Sequence, residues 1–151
     1  MPIDPAVIGT ELPEFGVDVE RGRLRFFAKA IGETDPVYVD LQAAGAAGHR
    51  DLPVPPTFFF GLELQGPDSF GWLGDLGVDL RRVLHGEQEF HYHALAYAGD
   101  HLRFSSRITD SYSKKAGALD FLVKETDVRR DGEDIVTLRQ ILVVRNPEVR
   151  P

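Results

Sequence analysis

Two periods of hydrophobicity divide the chain. Over Val19–Ile31 the apolar residues Leu24, Phe27, Ala28 and Ile31 recur three and four positions apart, which predicts an amphipathic helix. Asp18 is placed to cap its start and Gly32 to end it, while Arg21, Arg23, Arg25 and Lys29 fall mostly on the other side. The stretch Gly32–Asp40, GETDPVYVD, is polar and carries Pro36, so it reads as a loop or turn. Leu41–Ala47 is short and alanine-rich, consistent with a small helix, and Gly48–Pro55 is a loop. Pro56 then opens a second helix, PPTFFFGLELQG, because proline is tolerated at a first helical position. Phe58, Phe59, Phe60, Leu62 and Leu64 make that helix apolar nearly all round, so it belongs in the middle of the molecule. Gly66–Asp79 is a glycine-rich connection holding the single tryptophan, Trp72.

Beyond it the period falls to two. In Leu84–Leu95, Leu84, Phe90 and Tyr92 share one parity and His85, Glu87, Glu89, His91 and His93 the other. Ala98-Gly99-Asp100 signals a turn, and His101–Ser111, Leu119–Arg129 and Ile135–Arg145 read as three more strands. Asp131-Gly132 is a hairpin marker between the last two. A short strand near Gly9–Phe15 is weakly signalled. Helices followed by an antiparallel meander predict an α+β domain, its sheet curled over the central apolar helix. One domain spans 1–151, with about 1–16 as an N-terminal extension and 146–151 as a tail.

Composition narrows the function classes. A length of 151 residues suits one domain, and a net charge of −7 argues against a nucleic-acid binder, which needs a basic footprint. With no cysteine, disulfides, thiolate metal sites and cysteine nucleophiles are excluded. The N-terminus lacks the features of a secretory signal, and no apolar run is long enough to span a membrane, so a cytoplasmic protein without membrane partners is expected. No phosphate-binding glycine loop, nucleophile elbow or zinc-protease motif is present. His91 and His93 with Glu89 form a conceivable metal cluster, but such strand faces are commonly solvent or interface faces, and no metal is expected. His49 and His101 lie in or beside turns and are expected to be exposed.

The run AIGETDPVYVD, a short alanine-rich helix, PPTF, the strand HGEQEFHYHALAYAGD and then SYSKK together resemble the MaoC-like hydratase/dehydratase family. The resemblance covers roughly Val17–Arg145. It is narrower for the N-terminal hot-dog domain of two-domain members, and for the substrate-binding subunit of heterodimeric (3R)-hydroxyacyl-thioester dehydratases. It implies a hot-dog fold, an acyl-CoA or acyl-carrier-protein thioester as substrate, no cofactor, and a homodimer or a heterodimer with a second hot-dog chain. Catalytic members carry Gly-Asp-x-Asn-Pro-aliphatic-His-x-Asp in the loop. Here Gly32, Pro36, Val37 and Asp40 match, whereas Glu33, Asp35 and Tyr38 replace the Asp, Asn and His.

Hydration of an enoyl thioester needs a base for water, an acid for the α-carbon and a donor for the enolate oxygen. An extra methylene displaces the Glu33 carboxylate, and a tyrosine that titrates near 10 is a poor proton shuttle at neutral pH. In the family a backbone N–H at the start of the central helix holds the thioester oxygen, which maps onto Thr57 or Phe58. Proline at position 56 removes one donor there. Phe58, Phe59, Phe60 and Phe90 either line an acyl channel or serve as core. Lys114 and Lys115 either meet substrate phosphates or stay solvated.

Three readings follow. A catalytically silent subunit holds the acyl chain for a partner with an intact Asp/His pair. A self-sufficient homodimeric hydratase uses Glu33 with Asp35 or Tyr38. A hot-dog thioesterase would need a carboxylate on the central helix, where Glu63 lies.

Overall fold

The structure, a computed structural model, describes residues 2–149. Three long strands form the meander, β3 (His101–Lys114), β4 (Leu119–Arg130) and β5 (Glu133–Arg145). The β4–β5 turn places Asp131 at φ 48° and Gly132 at φ 80°. Two successive positive φ values give the mirror-image turn whose twist matches a right-handed hairpin. The first of the four expected strands, β2 (Val83–Tyr92), does not pair with β3. It crosses to the far side of the sheet and pairs with β5, giving, with the short strand β1 (Phe15–Asp18), an all-antiparallel order β1-β3-β4-β5-β2. The N-terminal strand lies later than expected. β1 (Phe15–Asp18) pairs with the start of β3, whereas Glu11 makes only an isolated bridge to Arg107. Pro13, which has no N–H to give a ladder, stands between the two.

The helices line the other side. α1 (Arg21–Ala30) buries Leu24 and Ala28 and stops at Gly32, whose φ of +71° suits glycine. Its cap position is Glu20 rather than Asp18, and no side chain caps it. Asp18 stays in β1, with its carboxylate 2.7 Å from His101 Nδ1. α2 (Leu41–Ala46) is capped by Asp40, whose Oδ1 accepts from Gln42 N at 2.9 Å. The central helix α3 (Phe58–Glu63) is shorter than expected. Pro56 sits not in its first turn but in a preceding one, closed by Phe58 N–H donating to Pro55 O at 2.9 Å. The segment read as a connection contains a further short helix, α4 (Gly71–Asp75), which buries Trp72 and Leu73. No helix among the described residues is long and apolar enough to cross a membrane.

The core beneath the sheet is divided. One cluster gathers Leu24, Phe58, Phe59, Leu62, Phe104 and Val128, and a second gathers Trp72, Leu73, Ile108, Leu122, Leu142 and Val144. Strand alternation points Ser106, Lys124, Thr126 and Gln140 inward between them, and all four are buried. Register sets Ser106 opposite Thr126 and Lys124 opposite Gln140. This polar belt is completed by Glu63 at the end of α3. Glu63 Oε1 accepts from Lys124 Nζ at 2.8 Å and from Thr126 Oγ1 at 2.7 Å, and Thr126 Oγ1 lies 2.7 Å from Ser106 Oγ. With the Thr126 proton directed at Glu63, Ser106 must donate to Thr126.

The pair's side chains are only 9% and 6% exposed, so removing one partner strands a charge. Lys124→Met is expected to cost about 3–5 kcal/mol in urea unfolding, and Glu63→Leu with Lys124→Met to recover most of it. Equal losses for the single and double variants would show that the charge pairing is immaterial.

Candidate functional site

A groove of about 320 Å³ opens between the start of α3 and the end of β2, walled by Val54, Pro56, Phe59, Tyr92, Leu95 and Ala96. Tyr92 fixes its shape, because its hydroxyl donates to Pro56 O at 2.8 Å. Burial raises the Tyr92 pKa above its ordinary value, so the phenol stays a donor at neutral pH. Phe90 stacks on Tyr92 with centroids 6.0 Å apart, and Phe59 lies 6.3 Å from Tyr92. Phe59 therefore lines the groove and Phe90 backs it. The other two phenylalanines face elsewhere: Phe58 stacks on Phe27 at 4.6 Å and Phe60 packs against His85 at 5.2 Å.

That last contact arises from a bulge. The register of β2 on β5 shifts between His85 and Glu87. A Cβ on Gly86 would sit 2.9 Å from Val143 Cγ2 and 3.1 Å from Ile141 O, so the site requires glycine. The shift places His85 opposite inward-facing Leu142 and Leu84 opposite Val143, the reverse of unbroken alternation. The expectation that His85 shares a face with His91 and His93 is thereby corrected. His91 lies 3.4 Å from Glu89, while His93 meets Thr137 Oγ1 at 3.1 Å. Among the described residues no three His, Cys, Asp or Glu side chains converge to hold a metal ion. His101 is exposed, but His49 is only part-exposed and lies 3.2 Å from the Tyr97 hydroxyl.

Of the two expected thioester donors, Phe58 N–H is already taken by Pro55 O, whereas Thr57 N–H has no acceptor among the described residues. Lys114 lies on the outer face of the sheet, its Nζ 5.5 Å from the Tyr112 ring and 5.1 Å from the Phe121 ring.

The loop Gly32–Asp40 uses its acids on itself. Glu33 Oε1 accepts from Asp35 N at 2.9 Å, and Asp35 Oδ1 accepts from Val37 N at 3.1 Å. These bonds cap the 3-10 turn Pro36–Tyr38, and Arg25 Nε donates to Val39 O at 2.9 Å from below. Glu33 and Asp35 are exposed, and Tyr38 is half-buried. Burial, followed by the Glu33 and Asp35 carboxylates, raises the Tyr38 pKa above its ordinary value. Tyr38 is thus protonated at neutral pH and can donate a hydrogen bond but cannot act as a base. None of these loop residues lines the groove.

Two contributors were not singled out from sequence. Tyr92 was recognisable only as an alternating strand residue. Asp100 was recognisable only as a turn residue, yet it anchors the segment that walls the groove. Its Oδ2 accepts from Tyr97 N at 2.9 Å and Arg130 Nη1 at 2.7 Å, and its Oδ1 accepts from Arg50 Nη2. Arg130 also holds Leu95 O at 3.0 Å, and Val54 N donates to Ala96 O at 2.9 Å. Burial pushes the Asp100 carboxyl up, but the bonds from Arg50, the Tyr97 amide and Arg130 outweigh it and leave the pKa below the ordinary 3.8. A depressed folded pKa contributes stability that is full above the unfolded value and is lost as pH falls through the folded value. Asp100→Asn should therefore cost about 2–3 kcal/mol at pH 7, with the gap to wild type closing below about pH 4. A gap that stays constant down to acid pH would contradict this.

Comparison with known proteins agrees with the geometry. A family model described as "FAS1-like, dehydratase domain region" matches residues 6–138. A UPF0336 protein of Saccharopolyspora erythraea is 37% identical over 153 residues, covering 100% of this chain and 97% of the relative. A UPF0336 protein of Streptomyces griseus is 38% identical over 150 residues, covering 98% and 99%. Among solved structures, a chain of the HadBC (3R-hydroxyacyl-ACP dehydratase) complex from Mycobacterium tuberculosis superposes with a TM-score of 0.76 at 24% identity, covering 91% of this chain and 96% of that one. A MaoC-like dehydratase superposes at 0.81 with 22% identity, covering 95% of this chain and 43% of that one. A chain of the M. tuberculosis ChsH1-ChsH2 complex gives 0.73 at 21% identity, covering 91% and 89%. These likenesses establish a hot-dog fold, and the family match establishes membership: the chain belongs to the FAS1-like dehydratase domain region family.

Proposed function

We propose that this chain is the substrate-holding subunit of a two-chain acyl-thioester hydratase/dehydratase. The observation that carries the reading is the state of the loop. Its two carboxylates cap backbone turns in solvent, and a phenol held protonated stands where catalytic relatives place a histidine. A hydratase step removes a proton from water, adds the hydroxyl to the β-carbon, gathers charge on the thioester oxygen and returns a proton to the α-carbon. This chain offers one of those elements. The free Thr57 N–H follows directly on Pro56, which walls the apolar groove, and would suit a thioester oxygen whose acyl chain lies beside Phe59. The acid and base then come from a second hot-dog chain with an intact Gly-Asp-x-Asn-Pro-x-His loop. The reaction needs no prosthetic group, because the thioester itself acidifies the α-carbon, whether carried on CoA or on a carrier protein.

The two-chain HadBC and ChsH1-ChsH2 structures are in keeping with such a partnership. The exposed edge strand β2 is available to a partner, with Leu84 and Tyr92 about half exposed on it. Glu63, the carboxylate a thioesterase would use, is held by Lys124 and Thr126 in the core and does not line the groove.

The test is hydration of crotonyl-CoA by the purified chain alone and with a co-expressed hot-dog partner bearing that loop. The pair is expected to exceed the lone chain by at least about a hundredfold, with Glu33→Gln changing the pair's rate less than about twofold. Activity of the lone chain that vanishes in Glu33→Gln would overturn the reading in favour of a self-sufficient homodimer.

A further inference from the structure

A second cavity, separate from the groove, lies beneath α4 and encloses about 120 Å³. It shares no lining residue with the groove. Its inner wall is the polar belt, with Glu63, Ser106, Lys124 and Gln140 facing it. The belt's hydrogen bonding is incomplete on this side. Glu63 Oε1 takes both Lys124 and Thr126, whereas Oε2 takes no bond from the described residues. Lys124 Nζ donates once, which leaves two of its three protons uncommitted.

Gln140 is the more telling residue. It is 93% buried, as its exposure is 7%, and its side-chain amide bonds to none of the described residues. Yet among them no side-chain nitrogen or oxygen is sealed from space without a partner. The Gln140 amide therefore opens into the cavity it lines, as does Glu63 Oε2. An amide so placed offers two donors and one acceptor to whatever enters the cavity.

We propose that this cavity is a binding site for a neutral carbamoyl compound, a primary amide on a short apolar body. The charge pattern selects neutrality. Asp68 and Asp75 join Glu63 around the space, with Glu14 there paired to Arg103 at 3.0 Å, and Lys124 is the one cation in the lining, so an anion is repelled at the mouth. A cation would meet the Lys124 ammonium at the back. An amide pairs with both ends of the belt, its N–H groups donating to Glu63 Oε2 and its oxygen accepting from Lys124 or Gln140. The apolar body packs on Phe15, Phe70 and Trp72, which line the outer half. Size limits it to about six heavy atoms, given that a cavity of about 150 Å³ takes benzene.

The site is independent of the proposed hydratase role, and its test uses no turnover. Butanamide is titrated into the isotopically labelled full chain, following the Gln140 side-chain NH₂ and Trp72 indole N–H signals. Saturable shifts are expected with a dissociation constant in the low-millimolar range, roughly that of a good small fragment. Butanoate and butylamine should bind at least about tenfold more weakly, since each leaves a buried charge opposed or a donor unpaired. Gln140→Leu should also lose about tenfold in binding while keeping or raising Tm, because it removes an unpaired amide. No saturable shift up to about 50 mM butanamide, undiminished binding in Gln140→Leu, or equal binding of butanoate would each overturn the proposal.

Discussion

The packing of the central helix on the sheet turns on one buried contact, Glu63 of α3 with Lys124 of β4. Such a pair adds little net stability, since the cost of desolvating two ions offsets most of their attraction. What it adds is position. Thr126 and Ser106 extend it from β4 to β3, which favours one height of the helix on the sheet. A two-residue slip along the helix axis or the strand would move Lys124 into Ile108, Leu122 and Leu142, where no acceptor waits. Two apolar clusters are held apart by this belt, and each then does a different task. The larger one seats the start of α3, and with it the groove, while the smaller one carries α4 as a cover.

The groove depends on that placement. Pro56, Phe59 and Tyr92 come from a turn, a helix and an edge strand, and their agreement rests on α3 sitting at a fixed height above β2. The second support is Asp100, which draws Arg50, Arg130 and the Tyr97 amide to one buried carboxylate. The loop Gly32–Asp40 stands outside this framework. It closes on itself through Glu33 and Asp35 and is tied to α1 by Arg25 and by Glu33 N–H donating to Ala28 O at 2.9 Å. A loop so built keeps its shape without help from a substrate.

Much of this fold was legible in the sequence, for reasons that are local. Alternation in β3, β4 and β5, the Asp131-Gly132 turn and the apolar run of α3 are each encoded within a dozen residues. What escaped was set by contacts distant along the chain. β2 reads as one more meander strand, but its partner is β5, some fifty residues away. The bulge at Gly86 is invisible to a period-two reading, which therefore put His85 on the wrong face. Asp18 has the chemistry of a helix cap but is drawn into β1 opposite His101. Glu63 was noted only as a helical carboxylate, because nothing near it announces Lys124 sixty-one residues on. The loop substitutions at Glu33, Asp35 and Tyr38 were plain in the sequence, and the structure adds what their side chains hold.

The Gly86 bulge has a consequence for assembly. A sheet grows without limit only if both of its edges accept a strand. One edge here, β1, offers four residues. The other, β2, is continuous only from Glu87 to Tyr92, about 20 Å, before the bulge breaks the row of free amides and carbonyls. The bulge thus cuts the longer of the two open edges back to a half-strand of regular template. A single glycine thus shortens the flat template that an open strand edge offers, which lowers its tendency to seed a fibre.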